Sequence, residues 1–323
     1  MFHLCPGSGR VRGCRQTHPA DRGGHQHHPR PGGGTGLAFP LTITAATRLY
    51  GILGHPVGHS LSPAIHNPEF AACGHDAVYL AFDVPPGRLP AAIDGVRALG
   101  LAGLNLTIPH KEAILPLLDA IDPAAARIGA VNTVAAEDGH LTGYNTDGIG
   151  FLNPLSARLG FQPRDKRVVI LGAGGAVRAV AFALMDAGVS EIVLANRTLQ
   201  RAEALARDLR ATGNTLVRTV AWDGPFTDPA LASCDLLIQG TSLGLHDELP
   251  EIAWPDLSPK AIVADLVYRA DGPTRFLQTA ATHGYPVYDG IWMLVGQAAE
   301  AFRIWTGAPF DIERAARRCR PDL

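Results

Sequence analysis

Lysine is scarce in this chain. Of its 28 basic residues only Lys111, Lys166 and Lys260 are lysines, and the rest are Arg. Lys111 falls in the first turn of a predicted helix, where the helix dipole disfavours a cation. Arg keeps its proton at any working pH, whereas a lysine amine can give one up. A lysine kept at such a position points to a titratable amine near negative charge. Asp147 is the candidate partner, and proton transfer is the chemistry of such a pair. Other polar residues gather at predicted strand ends: Ser60 and Ser62, Thr107, Asn132 and Asn145. Plainer readings stand beside this one, with Ser62 and Asp147 as helix N-caps and Asn132 as a turn residue.

A second constellation is Gly172-Ala173-Gly174-Gly175, between a predicted strand and a predicted helix. Glycines there permit a tight turn and a close approach of backbone to a pyrophosphate at the helix N-terminus. Val177 stands where a strict GxGxxG would place its third glycine, and such a turn can also be purely structural. The next predicted strand ends in Asn196-Arg197-Thr198-Leu199-Gln200-Arg201. An NAD enzyme usually carries an acid at that strand end to bind ribose hydroxyls. Here the acid is missing and two guanidinium groups flank a hydroxyl, which favours a 2′-phosphate and hence NADP. The alternative is Thr198 as a simple N-cap with solvated arginines.

Other chemistries fit less well. His55 and His59 sit in a Gly/Pro loop, with His66 and His110 further along, but no acidic cluster completes a shell and no metal site is expected. Ser-His-Asp catalysis is not expected either. Cys5, Cys14, Cys73, Cys234 and Cys319 form no CxxC pair, and a reducing cytoplasm is the expected setting. No apolar run is long enough to span a membrane. The formal net charge of −2 offers no field for nucleic acid. A homodimer is compatible with these features.

The elements that must position these residues read as α/β. Short apolar strands are predicted at 49–54, 77–84 and 103–108, with helices at 62 onward and 89–99. Pro68 should kink or shorten the first helix. Helical stretches follow at 111–118 and 123–128, and then a hairpin, 130–136 and 140–144, around Asp138-Gly139. A long helix is predicted at 148–160. Beyond it, strands at 167–171, 191–195, 216–220, 235–238 and 261–264 alternate with helices at 177–187, 199–210 and 273–283, which implies a parallel sheet. Helices at 292–305 and 312–318 close the chain.

The length of 323 residues suits two domains. Residues 1–46 differ from the rest. They hold nine Gly, five Pro, five His and five Arg against the single acid Asp21, a net of +4 that leaves −6 for the remainder. Such a segment buries too little to offset its ordering entropy, and it reads as a disordered basic extension or an over-extended start.

The motifs resemble one family, the NADP-dependent shikimate dehydrogenases. Those that carry the resemblance are Gly54–Pro63 (GHPVGHSLSP), Asn105–Lys111 (NLTIPHK), Gly129–Thr133 (GAVNT), Asn145–Gly148 (NTDG), Gly172–Ala176 (GAGGA), Asn196–Thr198 (NRT), Thr241–Gly244 (TSLG), and Asp289-Gly290 with Met293-Leu294-Val295 and Gln297. They run in family order from about 48 to 318, and jointly they are specific. The resemblance implies two α/β domains with a cleft between them. One is a substrate domain at 47–147 completed by 291–323, and the other a Rossmann-type NADP domain at 148–290. It implies reversible, NADPH-dependent reduction of 3-dehydroshikimate to shikimate in chorismate and aromatic amino-acid synthesis. Ser60, Ser62, Thr107, Asn132, Asp147, Tyr268 and Gln297 would bind substrate, with Lys111 as acid/base and Asp147 beside it. Gly172, Ala173, Gly174, Gly175 and Ala176 would hold pyrophosphate, and Asn196, Arg197, Thr198 and Arg201 the 2′-phosphate. Backbone near Leu266 and Gly290 would flank the nicotinamide.

Three positions depart from the family pattern: Pro68, Gln239-Gly240 where Asn-Ala is common, and Trp292, which could narrow the nicotinamide pocket. Little effect is expected of Gln239-Gly240. An NAD-using quinate/shikimate dehydrogenase tends to carry an acid at position 196 and Thr at position 62; this chain has neither. A non-catalytic sensor of the same ligands would lack the Lys–Asp pair. A folate dehydrogenase of similar layout would leave SxSP and NTDG unexplained.

Overall fold

The computed structural model describes residues 43–241, 243 and 249–323. The extension is read from residues 1–46, of which 1–42 lie outside the described residues, as do Ser242 and Gly244. The described chain builds two sheets. The first orders its strands β2 (Ala77–Asp83), β1 (Arg48–Gly54), β3 (Gly103–Leu106), β5 (Thr133–Glu137), β6 (His140–Tyr144) and β4 (Ala120–Ile121). Its β1–β2 and β1–β3 pairs are parallel, and β3–β5 and β5–β6 are antiparallel. The β5–β6 turn forms at Asp138-Gly139, both at positive φ, as a two-residue hairpin turn requires.

The second sheet is parallel throughout, with β12 (Val287–Tyr288), β11 (Ile262–Asp265), β10 (Leu236–Gln239), β7 (Arg167–Leu171), β8 (Glu191–Asn196) and β9 (Leu216–Ala221) in that order. This is the doubly wound arrangement whose strand order reverses between β7 and β10. Its central strands are continuous apolar runs because helices cover both faces. Those helices are α5 (Asp147–Leu159), α6 (Gly175–Asp186), α7 (Leu199–Thr212) and α8 (Arg275–Thr282).

The first sheet carries α1 (Ser62–Ala72), α2 (Leu89–Leu99), α3 (His110–Ala113) and α4 (Pro123–Ile128). Helix α1 runs through Pro68 over its eleven residues and is not cut short there. The segment expected to be helical over 111–118 splits into α3 and a 3-10 turn at Leu115–Leu117. Two helices end the chain, α9 (Gly290–Thr306) and α10 (Ile312–Cys319). Helix α9 serves both cores. Its first half packs Ile291, Trp292 and Val295 with the second sheet, and its second half packs Phe302 and Trp305 with Tyr50, Phe70 and Tyr79. Trp305 Nε1 donates to the carbonyl of Val134 at 2.9 Å. No helix among the described residues is long and apolar enough to cross a membrane.

Candidate active site

A cleft of about 320 Å3 opens between the C-terminal ends of the first sheet's strands and the β11–α9 region. Lys111 is placed in it by backbone. The amide of His110 donates to the Thr107 carbonyl at 2.8 Å, and the buried His110 ring binds the Val84 carbonyl through Nε2 at 2.7 Å. A carbonyl only accepts, so that nitrogen carries the proton. The Lys111 carbonyl accepts from Val131 at 2.8 Å, which ties it to the segment carrying Asn132.

Lys111 Nζ lies 2.5 Å from Asp147 Oδ2, and Asn132 Nδ2 donates to the other carboxylate oxygen at 2.7 Å. Asp147 is buried and Lys111 about four-fifths so, which strengthens the pairing relative to water. Asn132 Oδ1 accepts from the Thr146 amide at 2.8 Å and from Thr133 Oγ1 at 3.0 Å. Asn105 donates to Thr133 Oγ1 and to the Asn132 carbonyl, and it accepts from the Tyr79 hydroxyl at 2.7 Å. Burial holds the Tyr79 phenol well above its ordinary range, so it stays a donor. The amine thus ends a chain of satisfied polar groups running back through the sheet, and its position is fixed by that chain.

Two expectations are corrected here. Ser62 is not an N-cap: Leu61 occupies that position without a side-chain bond, and Ser62 begins the helix. Its hydroxyl instead accepts from Ser60 Oγ at 3.2 Å, and both serines line the cleft. Asp147 is not an N-cap either. It is the first residue of α5, after Thr146, and its carboxylate goes to Lys111 and Asn132.

Thr107, Tyr268, Gln297, Leu266 and Gly290 also line the cleft. Burial raises the Tyr268 phenol above its usual range. Trp292 does not line it. The indole is buried in the core with the Arg158 guanidinium 3.4 Å from its ring centre, so it narrows nothing. Several lining residues were not assigned from sequence as binding residues: His55, His59, Asn105 and Met293. Asn105 had a readable signal, a lone amide inside the apolar strand Gly103–Leu106. His55 is held at the rim by Asp83 at 3.0 Å.

The glycine loop leads from β7 into α6. Gly172 has φ of +114°, and a Cβ there would lie 2.9 Å from the Gly240 carbonyl carbon, so the position requires glycine. Gly174 and Gly175 are exposed, and a Cβ at either would meet no heavy atom within 4 Å. The first helical amide bond closes at Arg178 on Gly174, which leaves the amides of Gly175, Ala176 and Val177 without helical partners. Asn196 donates to the Thr198 carbonyl at 2.7 Å, and Thr198 stands at the N-cap of α7 without a side-chain cap bond. Arg197 and Arg201 are exposed, and neither has an ion-pair partner among the described residues. A cradle of free amides followed by two unpaired guanidiniums fits a pyrophosphate and a further phosphate.

A family model for the shikimate dehydrogenase substrate binding domain matches residues 52–134, one for shikimate / quinate 5-dehydrogenase matches 156–242, and one for the shikimate 5'-dehydrogenase C-terminal domain matches 290–319. The chain is 51% identical over 269 residues to the shikimate dehydrogenase (NADP(+)) of Moorella thermoacetica, covering 83% of this chain and 90% of that one. The shikimate 5-dehydrogenase of Thermus thermophilus in complex with NADP(H) and shikimate is 40% identical, with a TM-score of 0.75 over 86% of this chain and 100% of that one. The ligand-free 5-ketofructose reductase of Gluconobacter is also similar in structure, with a TM-score of 0.81 at 36% identity, covering 87% of this chain and 100% of that one.

Proposed function

The chain belongs to the shikimate dehydrogenase family, and on that premise we propose that it interconverts 3-dehydroshikimate and shikimate with NADP as its cofactor, in the route to chorismate and the aromatic amino acids. The observation that carries this is the Lys111–Asp147 pair at 2.5 Å on the wall of a cleft whose other wall is Leu266 and Gly290.

NADP supplies the hydride acceptor or donor, so oxidation of shikimate sends two electrons and one hydrogen to the cofactor and leaves one hydroxyl proton to be placed. Lys111 Nζ takes that proton in oxidation and returns it to the carbonyl oxygen in reduction. Asp147 holds the amine at that point, and Asn132 keeps the carboxylate from turning away. Ser60 and Ser62 present hydroxyls to the substrate carboxylate, while Thr107, Asn132, Asp147, Tyr268 and Gln297 bind the ring substituents. Gly172–Ala176 hold the pyrophosphate, and Asn196, Arg197, Thr198 and Arg201 hold the 2′-phosphate. Leu266 and Gly290 bound the nicotinamide side and keep water from it.

In this reading the substrate half is 47–147 with 291–323 and the cofactor half is 148–290. Small molecules are the only partners apart from a second copy in a homodimer, and the setting is the cytoplasm. The test is nicotinamide absorbance with shikimate and NADP+ or NAD+. Turnover with NADP+ is expected; no turnover with either cofactor overturns the enzyme, and faster turnover with NAD+ overturns the cofactor preference.

A further inference from the structure

Helix α10 and the residues after it grip both walls of the cleft with arginines. Glu69 of α1 is fully buried, and its carboxylate accepts from Arg314 at 2.5 and 3.1 Å and from Arg318 at 2.6 Å. That helix begins with Ser62, so α10 holds the wall that presents the serines. Two residues beyond Arg318 stands Arg320, itself only 4% exposed, and its Nη1 donates to Asp289 Oδ2 at 2.8 Å.

Asp289 is divided between two tasks. Oδ1 caps α9 by accepting from the Ile291 amide at 2.9 Å, and Oδ2 takes Arg320. Gly290 follows directly. A Cβ on it would lie 2.7 Å from the Val267 carbonyl oxygen and 2.9 Å from that of Leu266. The Asp289-Gly290 turn is therefore seated on the backbone that carries Leu266 and Tyr268 into the cleft. Asp265, at the end of β11, is a second buried carboxylate there, held by Thr274 at 2.6 Å. Two buried carboxylates repel, and Arg320 is the buried cation paired with one of them, Asp289. Arg320 touches neither the Lys111 network nor the glycine loop, and nothing in the proton transfer uses it.

We propose that Arg320 is a positioning residue for the reaction: through Asp289 it fixes the Gly290 turn on the nicotinamide side, while Arg314 and Arg318 fix the serine side, so that α10 sets the spacing of the two walls. The proposal rests on the activity assigned above. Hydride transfer is steep in distance and angle, and a displacement of about 1 Å costs on the order of 100-fold.

The test pairs Arg320→Met with the charge-neutral double variant Asp289→Asn/Arg320→Met. The single change strands Asp289 as a buried charge and lowers Tm. The double change removes both charges, leaves the asparagine oxygen to cap Ile291, and keeps the fold. We expect the double variant to bind NADPH within about threefold of wild type, because pyrophosphate and 2′-phosphate are held elsewhere, yet to lose about tenfold or more in kcat with little change in KM for shikimate. The nicotinamide fluorescence of bound NADPH should move toward that of free cofactor, a readout that needs no turnover. A folded double variant with wild-type kcat and wild-type nicotinamide emission overturns the proposal and leaves Arg320 a stabilising residue only. Should the double variant fail to fold, Arg320→Lys keeps the cation without the guanidinium's reach, and the same two readouts decide. Absence of shikimate turnover in the wild type would instead sink the activity itself, and the NADPH emission comparison would still judge Arg320.

Discussion

Gly240 and Val177 occupy one small volume, and that can be tested by exchanging a methyl between them. A Cβ added to Gly240 would lie 2.2 Å from Val177 Cγ2 and 3.3 Å from a Leu266 methyl. Carbon atoms in contact sit about 3.5–4 Å apart, so Val177 or the first turn of α6 must move by more than 1 Å. Val177 has no exposed surface, and a β-branched residue in a helix has one strongly preferred rotamer. Gly240→Ala alone should therefore cost about 3 kcal/mol, the upper end for overpacking. Val177→Ala alone removes two buried methyl groups and should cost about 2 kcal/mol. In the double variant the new methyl takes up part of the vacated space, and the total should fall to about 1–2 kcal/mol, a coupling of roughly 3–4 kcal/mol. Urea unfolding of the four proteins measures it. NADP+ affinity should track stability, since the displaced turn carries the free amides of Gly175–Val177. Costs that add within about 0.5 kcal/mol would refute the shared-volume argument.

Lys111→Ala should lower kcat by about 100- to 10,000-fold with a much smaller change in KM, as general acid–base removal does; a rise in KM alone would make Lys111 a binding residue. Arg197→Ala/Arg201→Ala should raise KM for NADP+ by about tenfold or more and leave NAD+ kinetics near wild type; an equal effect on both cofactors would show that the arginines do not read the 2′-phosphate. His66 is buried among rings, stacked 4.5 Å from Tyr79, with both nitrogens unpartnered, and burial lowers its pKa to about 3. The unfolded chain binds the proton near pH 6.5 and the folded chain does not, so folding stability falls as pH drops from 6.5 toward 3, by on the order of 3 kcal/mol at pH 4.5. His66→Phe should remove that share of the acid sensitivity; an unchanged difference in unfolding free energy between pH 7 and 4.5 would contradict it.

How much of this was legible in the sequence depended on whether the signal was local. Helices α2 and α4 fall at 89–99 and 123–128 as predicted, because apolar spacing is followed by Gly100 and Gly129 in left-handed caps. Lys111 was legible because its chemistry conflicts with its helix position. The two-residue strands β4 and β12 were not, since two residues carry no periodicity. Ser62 was misread because Ser-Pro is an ordinary helix start, and nothing local says that the hydroxyl turns toward Ser60 instead. Little effect was expected of the Gln239-Gly240 departure, but Gly240 is matched to Val177 across the fold. A contact between residues so far apart in sequence leaves no trace in either segment's pattern. Trp292 was placed near the nicotinamide by sequence proximity to Gly290, but a helix turns successive side chains about 100° apart, and this one faces Arg158.

The sharing of α9 between both cores also bears on how the chain is synthesised. Tyr50, Phe70 and Tyr79 are made early, yet Phe302 and Trp305, which cover them, follow more than 200 residues later. The nascent first sheet therefore leaves the ribosome with an aromatic face open to water, and it stays open while the whole second sheet is translated. Contacts of such long sequence separation slow folding and prolong exposure to aggregation. The half synthesised first is thus the half completed last, and a chaperone holding that bare aromatic face would act on this protein well before any cofactor could.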